Sequence, residues 1–329
     1  MDDELRGKLL GSSPQFHHVL SQIRRIAGFD VTVLIGGETG TGKELAARAV
    51  HYLSSRAGMP FVPINCGALA ETLVESELFG HERGAFTDAK NATAGLIAEA
   101  DGGTLFLDEV DALPAKAQAA LLRFLQDRTF RRVGGAQTRT ANVRLIAASN
   151  ADLIGLAEAR RFRRDLLYRL QVLPLTLPPL RERGDDAVEL AHVFLARLNL
   201  QYRGQVSPKR FHADTLKALA GHGWPGNVRE LEHFVQREFL LCEGDEIRVA
   251  TSTGTRRDGG ALPSDGDFKG AKARAVAEFE RGYVTRTLAR ARGNVSHAAK
   301  LAGQDRSAFS KLVRKYGAKD TLDSGPVES

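Results

Sequence analysis

Residues 37–44 read Gly-Glu-Thr-Gly-Thr-Gly-Lys-Glu, and this stretch limits what the chain can fold into more than any other. Val31, Val33, Leu34 and Ile35 precede it as a short apolar run, and Leu45, Ala46, Ala49, Val50 and Leu53 follow it at helical spacing. Strand, glycine-rich loop and helix in that order form the setting in which such a pattern cradles phosphate. Gly37, Gly40 and Gly42 let the backbone turn tightly and aim its N–H groups inward, around Glu38, Thr39 and Thr41. The helix that follows adds its positive end. Lys43 is placed to reach the β- and γ-phosphates of ATP. The Ser or Thr that usually follows the lysine is replaced by Glu44, so a magnesium ion must find another ligand.

Further strands follow. Phe61–Ile64 ends at Asn65, Thr104–Leu107 ends at Asp108-Glu109, Val143–Ala148 ends at Ser149-Asn150, and Val172–Leu175 is a weaker fifth. Helices fall at 15–27 and around Ala117, Leu121, Phe124 and Leu125, so strands and helices alternate as in a parallel sheet covered on both faces. Ligands of such sheets sit at the carboxyl ends of the strands, where the loop, Asn65, Asp108-Glu109 and Asn150 all fall. Asp108 can hold magnesium through water, and Glu109 can activate the attacking water. Asn65 and Asn150 can position that water or read the γ-phosphate. His81-Glu82 begins like a zinc protease motif, but Ala85 stands where the second histidine belongs.

From Asp185 the pattern turns all-helical, which reads as a small lid over 185–248. Val188, Ala191, Phe194, Leu195 and Leu198 line one face, a second helix covers 213–221, and Asn227 starts a third with Glu230 close to a capping box. Residues 250–267 are rich in Gly, Ser, Thr and Asp and read as a linker. A long helix over 271–291 turns Val276, Phe279, Tyr283, Val284 and Leu288 inward, and two short helices, 296–302 and 306–316, flank Gly303 as in a helix-turn-helix. Residues 268–329 carry 13 Lys/Arg against 6 Asp/Glu, a net of +7, whereas the whole chain is +6. The body is therefore near neutral and the C-terminal module basic, which points to nucleic acid at that end. No apolar run approaches a membrane span, the N-terminus lacks a signal peptide, and Cys66 and Cys242 suit a reducing cytoplasm.

These residues resemble the sigma-54-dependent transcriptional activators, the bacterial enhancer-binding AAA+ proteins. The resemblance covers Leu9 to Gly317 and rests on five stretches. They are residues 37–44, Glu77–Glu82 leading into Gly84-Ala85-Phe86-Thr87-Asp88-Ala89, Gly102–Glu109, Phe162–Leu166 with Arg169, and Gly223–Leu231. In the family glutamate also follows the lysine. The resemblance implies a ring, usually a hexamer, with ATP at the subunit interfaces. Arg163 and Arg169 match the arginine fingers given to the neighbour's nucleotide, and Arg229 matches the lid arginine that senses nucleotide. Asn65 matches the asparagine that holds the catalytic glutamate until the γ-phosphate is read. Residues 84–89 match the loop that grips sigma-54, with Asp88 in place of a glycine, and 129–140 match a second loop that moves with nucleotide state.

The C-terminal helices resemble the family's Fis-type DNA-binding domain, which implies a dimeric module on enhancer DNA with Arg306, Ser307, Ser310, Lys311 and Arg314 at the contact. The implied layout is an α/β AAA+ P-loop subdomain (1–184), a helical lid (185–249), a linker (250–267), an all-α helix-turn-helix domain (268–318) and a disordered tail (319–329). The implied function is a cytoplasmic activator that uses ATP and Mg2+ to open the sigma-54 RNA polymerase complex, assembling from dimers into a ring. Because the chain begins almost at the ATPase, it resembles either the family members controlled by a separate protein acting in trans or a piece of a longer chain that carries its own N-terminal sensor. Asp88 keeps a rival open, a DNA-binding AAA+ regulator, repressor-like, that does not remodel sigma-54. A non-transcriptional AAA+ machine is disfavoured by the helix-turn-helix and the 84–89 loop.

Overall fold

The apolar strands of the body hide a two-residue alternation that feeds two cores. The computed structural model describes residues 9–86, 89–248, 280–281, 283–284, 287–288, 291 and 293–315. In chain order the strands are β1 (Val33–Gly36), β2 (Phe61–Asn65), β3 (Thr104–Asp108), the short β4 (Thr129–Phe130) and β5 (Arg139–Thr140), β6 (Arg144–Ser149) and β7 (Leu173–Thr176). Five of them form one parallel sheet of order β2-β3-β6-β1-β7. The helices of this region are α1 (Pro14–Ala27), α2 (Lys43–Tyr52), α3 (Glu71–Phe79), α4 (Leu96–Glu99), α5 (Ala115–Asp127), α6 (Leu153–Glu158) and α7 (Arg164–Leu170).

Leu34, Leu105, Leu107, Leu145 and Ala147 face one core with Leu78 of α3, Phe124 of α5 and Leu166 of α7. Their sequence neighbours Val33, Ile35, Phe106, Ile146 and Ala148 face the other, with Ile23 of α1 and Val50 of α2. Burial on both faces explains the consecutive apolar residues Leu105-Phe106-Leu107 in β3 and Leu145-Ile146-Ala147-Ala148 in β6. The fifth strand begins one residue later than the sequence pattern indicates, because Val172 is exposed just before the edge strand β7. Helix α3 and the antiparallel pair β4–β5 add to the elements legible in the sequence.

The lid holds α8 (Asp186–Gln201), β8 (Arg210–Phe211), α9 (Ala213–Gly221), α10 (Asn227–Leu241) and β9 (Glu246–Ile247). Phe194, Leu195, Trp224, Leu231, Val235 and Phe239 form its core. The capping expectation is corrected at α10. Gly226, not Asn227, is the N-cap, and Glu230 Oε2 accepts from the Gly226 N–H at 2.8 Å. Asn227 is buried with φ 54 and spends its side chain on tertiary partners.

The C-terminal unit, a separate body from Thr253 onward, holds α11 (Val295–Leu301) and α12 (Arg306–Lys315). Asn294 caps α11 by accepting from the Ser296 and His297 N–H groups, and Gly303 turns the chain at φ 62. Val284, Leu288, Ala291, Ala298, Ala299, Phe309 and Val313 close a small core. Tyr283, expected inward, is at the surface instead. The linker 250–267, most of the 271–291 helix including Val276 and Phe279, Thr87 and Asp88, and the tail lie outside the described residues. Among the described residues no helix is long and apolar enough to cross a membrane.

Candidate active site

The loop between β1 and α2 turns through Gly40 at φ 80 and Gly42 at φ 96, and Gly42 caps α2. A Cβ at Gly40 would lie 2.3 Å from the Gly226 carbonyl oxygen, so only glycine lets the lid come this close. Lys43 is buried, and its Nζ donates to the Gly37 carbonyl at 2.9 Å and the Glu38 carbonyl at 3.1 Å. Burial pulls its pKa down, against the opposing pull of Asp108, Glu109 and Asp111. Thr41 Oγ1 donates to the Glu38 carbonyl, and Glu44 pairs with Arg48 one turn along α2.

Asp108 ends β3 in register with Asn65 of β2. Burial raises the pKa of Asp108, offset by the Glu109 N–H that donates to its Oδ1 at 3.0 Å and by Lys43. Glu109 sits at φ 53, a left-handed conformation that costs a non-glycine residue about 1–2 kcal/mol and aims its carboxylate off the strand line. Gly67 makes room for that carboxylate, since a Cβ there would lie 2.2 Å from Glu109 Oε2. Asn65 Oδ1 accepts from the Gly67 and Ala68 N–H groups, so this asparagine fixes the turn on which Glu109 rests. Asn150 Nδ2 donates to Thr39 Oγ1 at 2.9 Å, tying the end of β6 to the loop. Cys66 beside them is a plain buried thiol, pushed up to about 12 by burial and then by Asp108.

These groups converge on a cleft of about 340 Å³. Its lining combines the polar Lys43, Asp108, Glu109 and Asn150 with the apolar Leu9, Leu10, Leu190, Phe194 and Val228. That mixture suits a ligand that carries both phosphates and an apolar base. The described residues contain no cluster of three metal-ligating side chains, and Asp108 is the carboxylate beside Lys43 that could hold a magnesium ion. Arg229 lines this cleft and also a cavity of about 580 Å³ bounded by Trp224, Phe234 and His233.

Two clasps hold the lid in place. Asn227 Oδ1 accepts from the Leu180 N–H at 2.8 Å, while its Nδ2 donates to Glu38 Oε2 and to the Thr39 carbonyl. Arg181 grips the same Glu38 carboxylate with both terminal nitrogens, at 2.9 and 2.6 Å. Arg181 first, then Asn227, draws the Glu38 pKa down to about 2. In the second clasp, buried Asp186 accepts from the N–H groups of Ser12 and Ser13 and pairs with Arg183 at 2.8 Å. Arg183 in turn donates to the Leu10 carbonyl.

Comparison with known proteins decides the family. The family model of the sigma-54 interaction domain matches residues 9–176, that of the AAA+ ATPase lid domain 181–253, and that of the Fis-family bacterial regulatory proteins 275–316. The chain belongs to the sigma-54-dependent transcriptional regulators. It is 49% identical over 250 residues to the Nif-specific regulatory protein of Azotobacter vinelandii, covering 74% of this chain and 47% of that one. It is 43% identical over 305 residues to the alginate biosynthesis transcriptional regulatory protein AlgB of Pseudomonas putida, covering 92% and 66%. The chain thus spans about half to two thirds of the length of these relatives. Among solved structures, NtrX of Brucella abortus in complex with ATP superposes with a TM-score of 0.70 at 34% identity, covering 96% of this chain and 71% of that one.

Among the described residues of the body, the other family positions are not part of the cleft lining. Phe86 is 38% exposed with its ring against His81 at 4.9 Å, and Gly84 and Ala89 close the loop by a backbone bond of 2.8 Å. The base of this loop is laced to 129–140: Val133 bonds Gly80 and Glu82 through the backbone, and Arg132 pairs with Glu82 at 3.2 Å. Arg163 and Arg169 are exposed, and neither is among the residues lining the cleft. Arg163 lies against Asp165 at 2.7 Å, which raises its pKa and lowers that of Asp165. In the C-terminal unit Arg306, Ser307, Lys311 and Arg314 are exposed and Ser310 half-buried, with Phe309 and Val313 on the inner side of α12. The sequence patterns missed the roles of Asn227, Arg181 and Asp186. Asn227 sits inside the quoted Gly223–Leu231 stretch, and its neighbour Arg229 drew the attention.

Proposed function

We propose that this chain is an ATP-hydrolysing activator of sigma-54 transcription. The observation that carries the reading is the meeting of Lys43, Asp108 and Glu109 in one cleft that also has apolar lining, while the two family arginines are not among its lining residues. The backbone of residues 37–43 and the Lys43 ammonium would bind the ATP phosphates, and Leu9, Leu190, Phe194 and Val228 would bury the base. A magnesium ion, when bound at Asp108, would neutralise charge between the β- and γ-phosphates. Glu109 takes the proton of a water whose oxygen attacks the γ-phosphorus, and ADP leaves as the bond to its β-phosphate oxygen breaks. Asn65 holds the turn beneath Glu109, and Asn150 links Thr39 to the end of β6, so both stand where a lost γ-phosphate would be felt. Arg229 reads the nucleotide from the lid.

In this reading the chain assembles from dimers into a ring, and Arg163 and Arg169 complete the neighbour's site. Guanidinium there stabilises the charge of the transferring phosphate. The 84–89 loop, coupled to 129–140 through Glu82, moves against sigma-54 and opens the polymerase complex. Arg306, Ser307, Ser310, Lys311 and Arg314 hold the assembly at enhancer DNA. A second reading, a DNA-binding AAA+ regulator without sigma-54 remodelling, is favoured only by Asp88, which adds a charge to the loop. The first experiment is ATP hydrolysis by Glu109→Gln and Lys43→Ala. Glu109→Gln should bind ATP as the parent does and lose about a hundredfold or more of turnover. Lys43→Ala should lose binding itself, by about tenfold or more. Normal turnover by Glu109→Gln would remove the general-base assignment.

A further inference from the structure

Gln118 lies in the second turn of α5 and is 2% exposed. A buried amide must spend its donors and its acceptor on partners, and here they reach two separate segments. Nε2 donates to the Leu113 carbonyl at 2.8 Å and to the Arg161 carbonyl at 3.3 Å, while Oε1 accepts from the Arg163 N–H at 2.9 Å. Two carbonyls and one N–H admit only this orientation of the amide.

The two segments matter to different sites. Leu113 closes the turn Val110–Ala112 that follows Glu109, and Asp111 in that turn accepts from Ser149 Oγ at 2.6 Å. This turn therefore joins the Glu109 end of β3 to Ser149 at the end of β6. On the other side, residues 160–163 form a backbone knot. Arg160 stands at φ 56, and the N–H groups of Arg161 and Phe162 both reach the Leu156 carbonyl. Phe162 is buried beneath it, and the Arg163 side chain leaves it into solvent. Gln118 thus grips the backbone from which Arg163 departs, while the exposed guanidinium rests on Asp165 two residues on.

We propose that Gln118 is a positioning residue that couples the Glu109 turn of one subunit to the arginine that this subunit presents to its neighbour. The inference rests on the reading that Arg163 acts across subunits. Shifts of the Glu109 turn move the Leu113 carbonyl, and the amide passes them to the Arg161–Arg163 backbone. Loss of Gln118 leaves the subunit's own Lys43, Asp108 and Glu109 in place and impairs the site next door.

The test uses the full chain. Gln118→Leu keeps the volume and removes all three bonds, and Gln118→Glu keeps only the acceptor for Arg163. Both should bind a fluorescent ATP analogue within about threefold of the parent, with kcat reduced about tenfold or more for leucine and less for glutamate. Gln118→Leu mixed with Glu109→Gln should regain turnover, because the Gln118→Leu site then receives an intact Arg163 from its neighbour. Arg163→Ala mixed with Glu109→Gln runs beside it. Recovery in both mixes supports the inference. Recovery with Arg163→Ala but not with Gln118→Leu overturns it and leaves the trans arginine standing, while recovery in neither overturns both. Parent-like kcat in Gln118→Leu also overturns it. Should Gln118→Leu fail to fold, Gln118→Glu carries the same mix.

Discussion

Lys43 and Lys311 are the same side chain in opposite settings. Lys43 is 8% exposed, held by two backbone carbonyls and shifted by burial among Asp108, Glu109 and Asp111. Lys311 stands in water on α12 beside Arg314, above a core of only a few apolar side chains. Hydrolysis needs charges taken out of water and fixed before the substrate arrives, because electrostatic stabilisation is strong only where reorganisation has already been done. Attraction to a nucleic-acid backbone works through counterion release and gains from exposure. The first region therefore needs a large sheet to support it, and the second needs little more than a helix pair.

That contrast can be broken experimentally. Arg306→Ala with Lys311→Ala should weaken DNA binding by about a hundredfold and flatten its salt dependence by one to two units of slope, at unchanged ATP turnover. Titration of enhancer DNA at several salt concentrations checks it, and a parallel loss of ATPase would mean that the two regions are not independent. Within the nucleotide region, Asn227→Ala removes bonds to Leu180, Glu38 and Thr39 and forces alanine into a left-handed conformation. It should cost about 2–4 kcal/mol, read from the denaturant midpoint, and Asn227→Gly should cost less because the backbone penalty disappears.

The smallest effect concerns Glu38. Its folded pKa of about 2 lies below the ordinary 4.5, so the Arg181 clasp contributes fully above pH 4.5 and is lost as pH falls toward 2. Glu38→Gln keeps the shape without the titration and should flatten that acid limb. The pair is exposed to solvent, so the change is modest and should shrink further in salt. Acid unfolding followed with and without salt measures it.

Legibility in the sequence divides along the same line. Runs such as Leu105-Phe106-Leu107 announce buried strands, and the loop at 37–44 announces its own ligand through local spacing. Helix α3 escaped because its buried residues, Val74, Ser76, Leu78 and Phe79, do not fall on one apolar stripe. Strands β4 and β5 are two residues each, too short for any period. The Asn227 clasp joins positions 47 and 189 residues apart, and Gln118 reaches 45 residues to Arg163, so no local pattern could reveal either. The ends of β3 and β6 were readable as site positions because topology places all carboxyl ends of a parallel sheet together. The left-handed conformation of Glu109, which aims the carboxylate, leaves no mark in composition or spacing.

The central claim, that hydrolysis in the cleft is delivered to sigma-54 through residues 84–89, is tested most directly by Thr87→Ala in a purified transcription assay. The components are polymerase, sigma-54, an enhancer-bearing promoter and the full chain, with ATPase and DNA binding measured on the same protein. The account predicts parent-like hydrolysis and DNA binding together with loss of promoter activation. Activation by Thr87→Ala equal to that of the parent would contradict it and leave the reading of a DNA-binding regulator that does not remodel sigma-54.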